Sequence, residues 1–208
     1  MLRRLAYVAL LPLLTATPSA AFAHEGGMAV TISRAPLKLG APFSLIDQHG
    51  RHVRDTDFAG RLRLVYFGYT HCGDACPLDL QNMAGALDLL GTRAKDVAVI
   101  FVTIDPARDT PARLAAFLPL FDRDFIGLTG DPRDIRTLAA AYGVDYEKIK
   151  ETGPAGYDFS HPALAFLMGR RGEFLAFVRP GDAPAVIAKA LARRLEDGVA
   201  RSDQSGPP

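Results

Sequence analysis

The segment Tyr66-Phe-Gly-Tyr-Thr-His-Cys72-Gly-Asp-Ala-Cys76-Pro77 holds both cysteines of the chain, four residues apart. At a helix start this spacing sets the two Cα atoms about one turn apart on the same side. That separation lets the sulfurs close a disulfide or share one ion. The positive end of a helix lowers a thiol pKa, which favours the thiolate that both chemistries need.

Several uses of such a pair can be weighed. A structural disulfide closing so short a loop contributes only about 2 kcal/mol in the chain-entropy model, and a chain of this length has core enough without it. Structural zinc needs four ligands, and no second cysteine pair completes the set. Haem attachment needs Cys-x-x-Cys-His, which is absent. A thiol peroxidase fits Thr70-His71-Cys72 poorly. Thiol–disulfide exchange and copper binding remain open, because two thiolates and an imidazole make a soft donor set that suits copper.

A third ligand must then come from five histidines. His24 stands near the N-terminus, and His49 and His52 flank a turn-like Gly50, where solvent is the expected surrounding. His71 is adjacent to Cys72, and neighbouring side chains diverge. His161 stands in Tyr157-Asp-Phe-Ser-His-Pro162, a loop that leads into a buried strand. In a thioredoxin fold the loop before that strand faces the cysteine site.

The elements that must position these residues alternate along the chain. Strands are expected at 43–46, 61–69, 97–104, 125–128, 163–168 and 174–178, the last two as a hairpin across Gly169-Arg-Arg-Gly172. The runs at 61–69 and 97–104 are nearly all apolar, as strands of a buried sheet are. Leu78, Leu80, Met83, Leu87 and Leu90 recur at helical spacing over 77–90, with Pro77 in the first turn. Further helices are expected from Thr110-Pro111, with Thr110 as N-cap, over 132–142 and over 183–195. The alternation predicts an α/β thioredoxin-like fold, a mixed central sheet flanked by helices.

The N-terminus has another purpose. Met1-Leu-Arg-Arg4 is a positive start, residues 5–14 are apolar, and Ala21-Phe-Ala23 is an A-x-A site. This is the layout of a secretory signal cleaved between Ala23 and His24. The apolar run is about half of the roughly 20 residues a membrane span needs, and Pro12 and Pro18 interrupt it. A membrane anchor facing the periplasm is the alternative to cleavage. The signal lacks the cysteine of a lipoprotein. Removing residues 1–23 leaves 22 basic against 23 acidic side chains, a balance that offers nothing to nucleic acid. The expected layout is a signal peptide at 1–23, one domain at 24–198 and a flexible tail at 199–208. An exported chain meets an oxidising compartment, which permits a Cys72–Cys76 disulfide.

The cysteine segment resembles the Sco/SenC family of copper-binding thioredoxin-like proteins, involved in maturing cytochrome c oxidase. Its Tyr-Thr-x-Cys-x-Asp-x-Cys-Pro pattern is met by Tyr69, Thr70, Cys72, Asp74, Cys76 and Pro77. Its Val-Asp-Pro-x-Arg-Asp-Thr-Pro element is met by Ile104-Asp-Pro-Ala-Arg-Asp-Thr-Pro111, which reads mainly as loop and cap. Its histidine before a strand is met by Ser160-His161. Departures are Gly73 for a frequent proline, Phe166 for a common tyrosine and Gly169 for a usual aspartate. The resemblance implies that Cys72, Cys76 and His161 are copper ligands and that the two cysteines form a redox-active disulfide on oxidation. It implies a monomeric periplasmic metallochaperone that delivers Cu(I) or Cu(II) to an acceptor such as a cytochrome c oxidase subunit, supplied by an upstream copper donor or thiol reductant. The rival expectation is an enzyme, a thiol–disulfide oxidoreductase that reduces the acceptor's cysteines.

Overall fold

The computed structural model describes residues 37–203 apart from residues 74, 123 and 150–155, with side chains as far as Asp197. The expected signal peptide, His24, Asp74 and the end of the expected tail lie outside the described residues.

Two strands built almost wholly from apolar residues form the centre. They are β3 (Leu62–Gly68) and β4 (Val97–Thr103), every residue of which is buried. They pair in parallel, and β4 pairs in parallel with β5 (Ile126–Thr129). Antiparallel strands complete the sheet: β1 (Ser44–Asp47) and β2 (His52–Arg54) beyond β5, and β8 (Ala165–Met168) and β9 (Phe174–Val178) beyond β3. The order β2-β1-β5-β4-β3-β8-β9 makes the expected mixed sheet.

Strand side chains alternate between the two faces, and here both faces are covered. Leu62, Leu64 and Tyr66 of β3 with Val97, Val99 and Phe101 of β4 meet Leu80, Met83 and Leu87 of α1 (Ala75–Leu90). The same face receives Leu114 of α2 (Pro111–Phe117) and Ile187 and Leu191 of α4 (Pro184–Asp203). Val65 and Phe67 with Ala98, Ile100 and Val102 face Ile135 and Leu138 of α3 (Pro132–Ala141). Thr110 caps α2 as expected, its side chain accepting the Arg113 amide.

Several local expectations are corrected. Helix α1 begins at Ala75, so Cys72 precedes it in a turn closed by its amide on the Tyr69 carbonyl at 3.1 Å. Leu78 does not join the apolar face of α1; it is 51% exposed beside the cysteines. His52 lies in β2, exposed as expected. Helix α4 runs on to Asp203, into the stretch expected as tail. The intervening Gly198 costs a helix only about 1 kcal/mol relative to alanine. Two strands went unforeseen besides β2: β6 (Glu147–Ile149) and β7 (Asp158–Ser160) pair with each other in a ribbon separate from the main sheet.

Candidate metal centre

The end of β3 delivers the cysteines. Gly68, its last residue, packs where a Cβ would stand 3.2 Å from the Cys76 sulfur and 3.0 Å from the Phe101 ring. A side chain there would crowd Cys76, so glycine makes the seat for the sulfur. Cys76 is fully buried in the first turn of α1, while Cys72 is half-buried and packs against the cores of both sheet faces. Both thiols are free.

A buried carboxylate fixes the turn ahead of Cys72. Asp109 accepts the Thr70 amide at 2.9 Å, the Thr70 hydroxyl at 2.6 Å and the Thr103 hydroxyl at 2.7 Å. Arg113 Nε donates to the Thr70 hydroxyl oxygen at 3.0 Å. The turn after β3 is thereby tied to the end of β4 and to α2. From the motif Asp109 reads only as a loop residue; its burial and three donors are not visible there. His71 lies beside this cluster, Nδ1 3.2 Å from Thr70 Oγ1 and outside the cysteine site.

His161 follows β7 directly, at the foot of the β6–β7 ribbon. Its Nε2 lies 3.9 Å from Cys76 Sγ, and its ring meets Tyr69 edge to face at 5.8 Å. Nδ1 lies 3.1 Å from the Pro162 carbonyl. A carbonyl only accepts, so Nδ1 is the donor there and Nε2 is the ring nitrogen that faces the sulfurs. One donor atom from each of Cys72, Cys76 and His161 lies within 4.8 Å of the other two. Among the described residues no other trio of His, Cys, Asp or Glu side chains converges in this way.

The two thiols are inequivalent. Cys72 is pulled down to about 5, chiefly because Cys76 donates its S–H to it, with the His161 imidazole assisting against the opposing cost of burial. Cys76 is pushed far up, because it keeps the shared proton and is itself buried. Behind it, burial together with Cys76 and Asp79 keeps the Tyr66 phenol protonated. That hydroxyl donates to Asp79 at 3.1 Å, and the carboxylate also accepts the Gly181 amide at 2.9 Å. Chemically, the arrangement offers one ready thiolate, one thiol that ionises when a cation or an electrophilic sulfur arrives, and one imidazole nitrogen. Two sulfurs and a nitrogen suit a soft metal ion, and three ligands leave a coordination position open.

Known proteins share this architecture and sequence. The SCO1/SenC family model matches residues 32–196. Protein SenC of Rhodobacter capsulatus is 38% identical over 157 residues, which cover 76% of this chain and 71% of that protein. Protein sco1 of Schizosaccharomyces pombe is 36% identical over 157 residues, 74% of this chain but only 60% of that longer protein. The solved structure of Bradyrhizobium japonicum ScoI with copper bound superimposes with a TM-score of 0.70 at 38% identity, covering 75% of this chain and 99% of that one. With a thioredoxin-like mixed sheet and a match across most of its length, the chain belongs to the SCO1/SenC family.

Proposed function

We propose that this protein is an exported copper metallochaperone that binds one copper ion through Cys72, Cys76 and His161 and delivers it to a respiratory oxidase copper centre. The observation that carries the reading is the convergence of three soft-metal donors within 4.8 Å, built from distant parts of the chain. The copper bound to Bradyrhizobium japonicum ScoI supports the choice of metal. The link of the Sco/SenC family to cytochrome c oxidase supports the acceptor. The match spans 60% of the fission-yeast relative's length. Among the described residues no helix is long and apolar enough to cross a membrane. Cleavage after Ala23 is part of the reading, and an intact mass that begins at His24 tests it.

Binding needs both sulfurs as thiolates. Cys72 already is one at neutral pH, so loading releases the proton of Cys76. Cys72 and His161 are both half-exposed, and an acceptor thiolate or imidazole enters from that side and exchanges ligands. Titration with Cu(I) under competition, and with Cu(II) by absorption, tests the site. The reduced protein should take up one equivalent and the Cys72–Cys76 disulfide form none. Loss of even outer groups around a metal typically costs about 10- to 100-fold in affinity, so His161→Ala should lose at least that. Its Cys72–Cys76 reduction potential should move little. Wild-type affinity in folded His161→Ala would remove the histidine from the ligand set.

The inequivalent thiols support a second reading, a thiol–disulfide oxidoreductase. The Cys72 thiolate attacks an acceptor disulfide and expels one acceptor thiolate. Cys76, on losing its proton, then attacks the mixed disulfide and releases the second. The acceptor gains two electrons and this chain keeps a Cys72–Cys76 disulfide. This reading is indifferent to His161, so full oxidase maturation in a His161→Ala strain would favour it.

A further inference from the structure

The cysteines and the histidine are held by different means, and the histidine's mooring contains side chains that no ligand role explains. The ribbon that carries His161 pairs only with itself, β6 on β7, and adds no strand to the main sheet. Its apolar mooring is Phe159, whose ring meets Tyr69 at 5.5 Å and Tyr146 at 5.9 Å. Its polar mooring is Tyr157, four residues ahead of His161. The Tyr157 hydroxyl donates to Asp105 at 3.0 Å. Arg108 Nη1 donates to the Tyr157 carbonyl at 3.1 Å, and the guanidinium lies 3.8 Å from the centroid of the Tyr157 ring. Arg108 Nε also donates to the Asp105 carboxylate, which is 2% exposed and lies two residues past the end of β4. Asp105 is itself fixed by its amide on the Thr103 hydroxyl at 2.9 Å. A chain of contacts thus runs from the end of a central strand, through Asp105 and Arg108, into the backbone and side chain of Tyr157.

We propose that Asp105, Arg108 and Tyr157 form a clasp that positions His161, so that metal affinity depends on side chains that never touch the metal. The inference rests on the ligand set proposed above. A ligand on a ribbon binds well only while the ribbon holds it in place. Each departure from the productive geometry lowers the effective concentration of the imidazole at the ion. The clasp acts on backbone as well as side chain, through the Tyr157 carbonyl, and so sets the path of the chain into Ser160 and His161. Tyr157 and Arg108 are positioning residues.

The test is a double-mutant cycle of Tyr157→Phe with His161→Ala, read as Cu(II) affinity and Cu(II) spectrum of the purified protein. Tyr157→Phe removes one oxygen and keeps the ring over which Arg108 lies. It should weaken copper about 10-fold, at the low end for outer groups around a metal, and shift the spectrum toward that of His161→Ala. In the His161→Ala background it should cost nothing further, because the clasp acts only through the imidazole. In the metal-free protein, amides over 158–161 should exchange faster than in wild type while those of β3 and β4 stay unchanged. Arg108→Gln, which releases the Tyr157 carbonyl, should repeat the pattern. Unchanged copper affinity in both single variants, or an equal loss with and without His161, overturns the clasp. If His161→Ala alone binds copper as wild type does, the ligand set fails first and the clasp falls with it.

Discussion

The cysteine turn and the histidine ribbon meet at one point, yet they are anchored in opposite ways. The turn leaves β3, a strand hydrogen-bonded on both sides, and enters a helix packed across the sheet. Its backbone is locked by the buried Asp109, and one of its sulfurs is completely enclosed. The ribbon has three exposed residues in β6, and only partly buried or exposed ones in β7. A few aromatic contacts and the Tyr157 clasp hold it. The contrast teaches that the site has a rigid half and an adjustable half. With the ligand set proposed above, the rigid half would fix where the ion sits, and the adjustable half how firmly it stays.

The largest effect that would test this contrast is in amide exchange. Amides of β3 and β4 should open only with global unfolding, while those of the β6–β7 ribbon open locally at a small fraction of that free energy. Protection should differ by about 1000-fold or more; equal protection would erase the distinction. Next in size is ligand removal from the rigid half. Cys76→Ser should weaken copper by more than about 100-fold, exceeding the loss in His161→Ala, since outer groups alone are worth 10- to 100-fold. Competition titration of both variants ranks them, and the reverse order would put the histidine in command.

A smaller effect is expected on stability. Asp109→Ala strands the Thr70 amide and two hydroxyls in the interior, and should cost about 2–3 kcal/mol in denaturant unfolding of the metal-free protein. An unaltered midpoint would show that the turn is held by something else. A pH-dependent effect follows from Cys72. Its pKa in the folded protein is depressed to about 5 from an ordinary thiol value of 9.0. A depressed value stabilises the fold above the ordinary value, and that contribution is lost as pH falls through the folded one. The reduced protein should therefore gain stability over Cys72→Ser between about pH 5 and pH 9. Alkylation of Cys72 should reach half its plateau rate near pH 5, and a midpoint near 9 would contradict the thiol geometry.

The rigid half was the legible half. Unbroken apolar runs announce buried strands, and β3 and β4 were both foreseen with little error at their ends. Cys72, Cys76 and His161 were foreseen as a group, and they converge. What escaped the sequence has common physical causes. Glu147-Lys148-Ile149 is exposed throughout, so it has no alternation to mark a strand. His52-Val-Arg54 is too short to show a period. Leu78 keeps helical spacing but lies off the buried face, because helix spacing alone does not say which residue ends the stripe. Asp109 and Tyr157 matter through partners 39 and 52 residues away along the chain, and no local pattern encodes such a partner.

Consider finally the glycine beneath the sulfur. Gly68 leaves room for the Cys76 sulfur, which is fully buried with the donor atoms of Cys72 and His161 within 4.8 Å. Of the three donor side chains, only Cys72 and His161 are partly exposed. For the metal transfer proposed above, donor and acceptor would both have to approach by these two side chains. Under that proposal loading and unloading would be separate visits, one partner released before the next is met.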